Sequence, residues 1–534
     1  MEAADPSIEE YEFVLVTYED DETARREGVH FYSADSLELY DAGMCSEGYK
    51  RVPPGYCAMK EAAYADDPQE QALPQGTTHF GDTSGPPIYE ETQPPRQMEM
   101  GVMNYRLSAY RDNGGLSSSY NGDEPPRLTG LSLLWEQPIG PAAIGDDPFW
   151  QPLIVKWFKN VRDISTISEE LKATRALKEV IAIGTDGRIH LFDLYTGQRT
   201  RDPLEGGHYA GTPALHETLP ILAAPGDTGI TFLQMTDGSP VAHLESAYYA
   251  PKMVLWQRDG LLLQTCNAVT YTPAEGTFTN NDMGISFDVD GISPWKDALY
   301  AQSPVSGNQQ MLYYGNREGG ISAYSLYKGS VTGQWTGDGT VVSCIGVKKI
   351  ADDGSLLLYF GNSTLGGGLP SPCKLVCLDA YLMEEQWSVT LSANGWDELP
   401  NGCIASPVVG EKALEGMVYF TLTGMIPKER KNGETVSVLI ALDADTGDIL
   451  WQKALGGRTV SSPVAAYGDD GKGYLYQADG DGTLYMVDGL TGETVDSLSL
   501  GGSVTSAPAL YRQHLVVRVT RDGQEVLCGI GLGE

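Results

Sequence analysis

The chain has no run of 18 apolar residues, so a membrane-spanning helix is not expected. Cysteine is scarce, eight in 534 residues, which excludes a disulfide scaffold. No Cys-x-x-Cys or His-x-x-x-His spacing suggests zinc, and Gly-x-Ser-x-Gly and Walker sequences are absent. Positive charge is also short: 36 Lys and Arg stand against 72 Asp and Glu, a net charge of −36. That balance argues against nucleic acid and anionic membrane surfaces as partners, since both need clustered cations. It is read as a solvated acidic surface. Met1-Glu-Ala-Ala-Asp5 has neither a basic start nor an apolar core, so no signal peptide is visible.

What is present points to strands and tight turns. Glycine is abundant at 63 residues, alongside many Tyr, Thr and Val. The organising stretch runs from Ala441 to Trp451: a strand ends in Leu442-Asp443, turns through Thr446-Gly447, and returns through Ile449-Leu450-Trp451. The aspartate can accept bonds from N–H groups two or three residues on, and the glycine supplies positive φ. The indole is large enough to fill a gap between neighbouring sheets. Asp193 to Gly197 and Asp488 to Gly492 repeat the turn, while Asp379 to Trp387 keeps the Asp-to-Trp spacing without Thr-Gly.

A second pattern is a short apolar run entered through proline: Pro152, Pro213, Pro251, Pro304, Pro407, Pro463 and Pro508. Proline gives no N–H to a ladder, so these strands are predicted to be sheet edges, as the innermost strand of a propeller blade is. Ser343-Cys344 splits the one doubled interval. The spacing then predicts an all-β chain with eight four-stranded blades.

Ala441 to Trp451 is similar to the tryptophan-docking repeat of the PQQ-like (quinoprotein alcohol dehydrogenase-like) β-propellers. The Ser-Pro-Val strands, Tyr110-Arg-Asp-Asn113 and Leu134-Trp135 resemble the same family, over roughly residues 105–534. The resemblance implies an extracytoplasmic protein, secreted, periplasmic or on the cell surface, whose leader has been removed. It spans quinone-dependent dehydrogenases and non-catalytic scaffolds alike. In the dehydrogenases two adjacent cysteines cover the quinone, calcium is held by Glu, Asn and Asp, and an Asp is the base. The Cys pair is absent here and the other ligands cannot be transferred by motif. No catalytic residue, PQQ ligand or metal ligand is therefore assigned. Asp479-Gly-Asp481-Gly and Asp288-Val-Asp290-Gly lack the later bidentate Glu of a calcium loop and read as hairpin turns.

Residues 1–127 form a separate acidic, Pro- and Tyr-rich segment, with 25 acidic against 8 basic residues up to position 126. It is either a spacer or an ordered arm wrapped on the propeller of residues 128–534. Cys45 and Cys57 could bridge in an oxidising compartment. Cys266, Cys344, Cys403 and Cys528 are expected as buried thiols, and Cys373 and Cys377 share one strand face. Residues 131–137 look like an outer strand, while only two strands follow the last inner one, so the early strand is predicted to complete the C-terminal blade and close the ring. Ser165–Lys178 is an insertion with a short helix starting at Ser168.

Three long stretches, 361–372, 391–401 and 424–434, should build up one sector of the channel mouth. Asn394, Trp396, Asp397 and Glu398 are the candidate binding residues there. Arg458, His208, Tyr248, Tyr249 and Trp295 precede other inner strands and complete the candidate set. The leading expectation is a monomeric, non-catalytic propeller binding a protein or glycan. A PQQ-dependent oxidoreductase and a carbohydrate-active enzyme are the alternatives.

Overall fold

The computed structural model describes residues 31–32, 39–40, 101–103, 105–106, 113, 115–116 and, with interruptions, 125–533. Among the described residues helix is confined to Lys159–Ile164, Glu169–Lys172 and a 3-10 turn at Lys412–Leu414. The rest of the regular structure is β. Antiparallel four-strand units follow one another in sequence order, for example Val464–Tyr467, Gly473–Ala478, Thr483–Asp488 and Thr494–Ser499.

Burial changes from strand to strand within such a unit. Gly473–Ala478 is buried throughout, Thr483–Asp488 is partly buried, and Thr494–Ser499 is largely exposed. The same gradient runs through Met417–Met425, Val436–Asp443 and Ile449–Leu455. A strand covered on both faces by neighbouring sheets reads as a continuous apolar run, which explains Met417-Val-Tyr-Phe.

The cores lie between consecutive sheets. Tyr419, Leu439 and Val408 pack with Leu475, Ala465 and Val487. Val464, Tyr476 and Met486 pack in turn with Leu515, Val517 and Ile530. The first and last sheets also share a core, in which Val102, Ile154, Val180 and Phe192 meet Ala509, Val516 and Leu527.

The outer strand supplies the fixings. Trp387 Nε1 donates to Ala444 O at 2.9 Å, and Trp451 Nε1 to Gly489 O at 2.9 Å, each reaching the turn of the next four-strand unit. Trp135 Nε1 does the same to Leu194 O at 2.7 Å, from the last sheet to the first. Tyrosines on second strands share two of these acceptors: Tyr359 reaches Ala444 O and Tyr419 reaches Gly489 O. The predicted turn chemistry is present, with Asp443 Oδ1 accepting from Asp445 N at 3.0 Å and Thr446 N at 2.8 Å. Gly447 has φ +76°, and a Cβ there would come within 2.7 Å of the Trp387 ring. Thr-Gly is thus required twice over, by the reversal and by the docked indole.

Residues Ser132–Pro141 form the early outer strand, antiparallel to Gln524–Gly531, with Trp135 opposite Gly529. One helix, Lys159–Ile164, precedes the insertion, and the insertion itself holds a second, Glu169–Lys172. Ser168 starts the second through its carbonyl, which accepts from Lys172 N, and its hydroxyl makes no cap bond. Val161, Ile167 and Leu171 bury against the core of the first two sheets, so the insertion packs as a cover.

Two expectations change. The proline-entered strands Leu153–Val155 and Ala509–Tyr511 are not edges, because Gly101–Val102 pairs antiparallel with the first and Gly115–Leu116 parallel with the second. The units of residues 346–393 and 408–455 are not separate sheets either. Ala393 pairs with Met425, and Asn401–Cys403 pairs with Met417–Met425, merging them into one ten-stranded sheet.

Candidate functional site

Proline's missing N–H explains why a strand can stop there, but its carbonyl still needs a donor. Where the first strands of the sheets converge, side chains supply it. Arg106 Nη1 donates to Pro463 O and Nη2 to Pro407 O, each at 2.6 Å. Gln151 Nε2 donates to Pro508 O at 2.6 Å, while its Oε1 accepts from Arg106 N at 2.7 Å. Arg106 has no solvent exposure. A buried guanidinium is costly unless charge-assisted hydrogen bonds offset the lost water, which these carbonyls do in part.

The residue before each proline also has a task. Thr212 Oγ1 accepts from Gln151 N at 2.8 Å, and Ser462 Oγ accepts from Ser406 N at 2.9 Å. The hydroxyl of one sheet thus satisfies the N–H of its predecessor. Tyr105 OH lies 3.1 Å from Ser406 Oγ, and burial pushes its phenol well above the usual range. Asn113 pairs with the edge strand Val464–Tyr467 as a strand residue would: Nδ2 donates to Ala465 O and Oδ1 accepts from Ala465 N, both at 2.9 Å. Leu215 N donates to Met103 O at 2.9 Å. Residues 101–116 therefore touch first strands of four sheets and the approach to a fifth. The centre is filled by the chain itself.

The loop sector is assembled at its base. Ser363–Thr364 pairs with Asn401–Cys403, which pairs with the strand ending at Met425, so all three predicted stretches meet. Arg458 Nη1 donates to Asn401 Oδ1 at 2.7 Å, and Asn401 Nδ2 donates to Asn394 O at 2.8 Å. Asn394 N in turn donates to Gly424 O at 2.8 Å. Asn394 and Arg458, both partly exposed, are thus joined through buried Asn401. His208 stands apart, exposed at φ +44° beside Gly187. Trp396, Asp397, Glu398, Tyr248, Tyr249 and Trp295 lie outside the described residues, as do Cys45, Cys57 and Cys266.

Sequence reasoning missed Arg106, Gln151 and Asn401. Gln151 and Asn401 sat in quoted motifs, but nothing in their spacing marks a hydrogen-bonding hub. The thiols of Cys344, Cys403 and Cys528 are buried as expected, and those of Cys373 and Cys377 are buried too. Burial pushes those of Cys377, Cys403 and Cys528 up to about 12, which suits packing and not nucleophilic chemistry. Asp479 serves a hairpin, its Oδ1 accepting from Thr483 N at 2.8 Å. Among the described residues no group of three His, Cys, Asp or Glu could hold a metal ion.

Residues 434–530 match the family described as "Outer membrane protein assembly factor BamB". No curated protein matches the chain. Among solved structures it is similar to the quinohemoprotein alcohol dehydrogenase from Comamonas testosteroni, at 12% identity and a TM-score of 0.53, covering 88% of this chain and 84% of that one. It is also similar to BamB from Moraxella catarrhalis, at 13% identity and a TM-score of 0.48, covering 75% and 99% respectively. At such identities the likeness is one of fold.

Proposed function

We propose that this chain, a PQQ-like β-propeller by its repeats and fold, works as a non-catalytic binding scaffold for a protein or glycan. One observation carries the reading: the centre of the sheets is taken by Tyr105 and Arg106, which leaves the joined loop sector, with Asn394 and Arg458 partly exposed, as the candidate polar surface. A quinone at that centre does not fit those residues, and the adjacent cysteines that would cover it are absent. No quinone or calcium step is therefore derived.

The wider assignments belong to the same proposal. Dividing the ten-stranded sheet into its two four-strand units gives eight blades, and the strand pairing of Ser132–Pro141 with Gln524–Gly531 would close the ring. The propeller occupies residues 128–534, with part of the preceding acidic segment threaded into it. A place outside the cytoplasmic membrane accords with the printed name of the family matched at residues 434–530, and a monomer is proposed with it.

The proposed ligand surface is Asn394 and Arg458, with Trp396, Asp397 and Glu398 assigned to it from the sequence; Tyr248, Tyr249 and Trp295 stay candidates from the sequence alone, and His208 stands apart from it. Purified full chain and its Trp396→Ala/Asp397→Ala variant should be compared on a glycan array and by cross-linking to envelope proteins. Binding lost in the variant, with the fold intact by circular dichroism, supports the reading. Binding unchanged by the double substitution removes this surface. A thermal shift with PQQ and calcium, or turnover of a bound glycan, would favour the corresponding enzyme instead.

A further inference from the structure

The contacts of residues 101–116 are those of a ligand as much as those of a core. A core segment is held mainly by apolar side chains. Here Val102, Met103 and Tyr105 are buried in that way, but backbone pairing is added to it: Gly101–Val102 adds antiparallel to Leu153–Val155, and Gly115–Leu116 adds parallel to Ala509–Tyr511. Between them, one asparagine amide copies a strand pairing at Ala465, and one arginine reads the carbonyls of Pro407 and Pro463. Strand addition to an open edge with a few side-chain anchors is how extended peptides are bound. Such pairing has a physical reason: without residues 101–102 and 115–116, the inner strands Leu153–Val155 and Ala509–Tyr511 would be sheet edges whose carbonyls and N–H groups need donors and acceptors from elsewhere.

We propose that the centre of this propeller is a peptide-binding site, with Gly101–Met103, Tyr105, Arg106, Asn113 and Gly115–Leu116 as the contact residues of its resident ligand. The ligand class is a peptide with strand-forming ends, an arginine in a turn of positive φ near the first and, seven positions on, an asparagine near the second. The sheets form the receptor, and Gln151 belongs to it by fixing the arginine's backbone N–H. This site is separate from the loop sector, so either assignment can fail without the other.

The test uses the full chain with a protease site inserted between Leu116 and Pro125. After cutting under native conditions, the N-terminal piece should stay with the remainder in size-exclusion chromatography, with the β signal in circular dichroism unchanged. A fluorescent peptide of residues 101–116 should then exchange into the site, followed by anisotropy. Substitutions are placed in the peptide, so that the receptor's folding is untouched. Arg106→Ala should weaken competition by at least about tenfold and Asn113→Ala by about threefold to tenfold. The proposal is overturned if the cut piece leaves at once from a folded remainder, or if cutting unfolds the protein. Equal competition by the wild-type and Arg106→Ala peptides overturns it too.

Discussion

The outer wall and the centre of this molecule solve one problem by different means. At the wall Trp135, Trp387 and Trp451 each fix one unit to the next, the indole docked on a turn carbonyl and a glycine. At the centre the fixings are polar: hydroxyls before proline, one glutamine and one arginine. The difference follows from geometry. Outer strands diverge and leave gaps that need volume, whereas inner strands converge and leave unpaired backbone that needs donors and acceptors.

Breaking the wall should have the largest effect. Trp387→Ala is expected to destabilise by about 3–5 kcal/mol in urea unfolding, as large aromatic truncations do. Gly447→Ala should be costly in the native chain through both the indole clash and positive φ. In a Trp387→Ala background its cost should fall to about 1 kcal/mol, the backbone strain alone. Additive costs would show that the ring and the turn are not coupled.

The centre is broken next by Arg106→Met in the full chain, at about 2–4 kcal/mol, because the carbonyls of Pro407 and Pro463 then lose their donors. A loss below about 1 kcal/mol would mean that water replaces the guanidinium. Thr212→Val keeps the shape and strands the Gln151 N–H, for an expected loss of about 1–2 kcal/mol.

A smaller effect with the opposite sign lies beside the boundary of the first and last sheets. Burial, with help from Lys156 and Arg162, lowers the Lys178 amine to about 8, and its Nζ stands 5.8 Å from the Tyr511 ring centroid. As pH falls from the ordinary lysine range to about 8, the unfolded chain takes up this proton first, so stability drops and then levels. Lys178→Met should therefore stabilise by about 1 kcal/mol at pH 7, and the gain should vanish above about pH 10.5. A gain independent of pH would assign it to packing.

The wall was largely legible in the sequence, because Asp443, Thr446, Gly447 and Trp451 each have a local duty and recur together. Of the predicted site, Asn394 and Arg458 are brought together, yet the residue joining them, Asn401, carried no local mark. Pro152, Pro213, Pro407, Pro463 and Pro508 stand just before first strands, whereas Pro304 ends Tyr300–Pro304 and Pro251 lies outside the described residues. What answers the carbonyls of Pro407, Pro463 and Pro508 comes from residues as far as 357 positions away.

The sequence by itself determined the strand class and the turn chemistry, which depend on side chains a few residues apart, and marked the docking indoles through repetition. Only the tertiary structure decided that Gly101 to Leu116 lies among the inner strands and that two sheets merge through Asn401–Cys403. The physical reason is that an open strand edge specifies a need for hydrogen bonds but not who meets it. Any extended stretch with the right anchors could do so, and converging sheets bring to that place a segment no local pattern singles out.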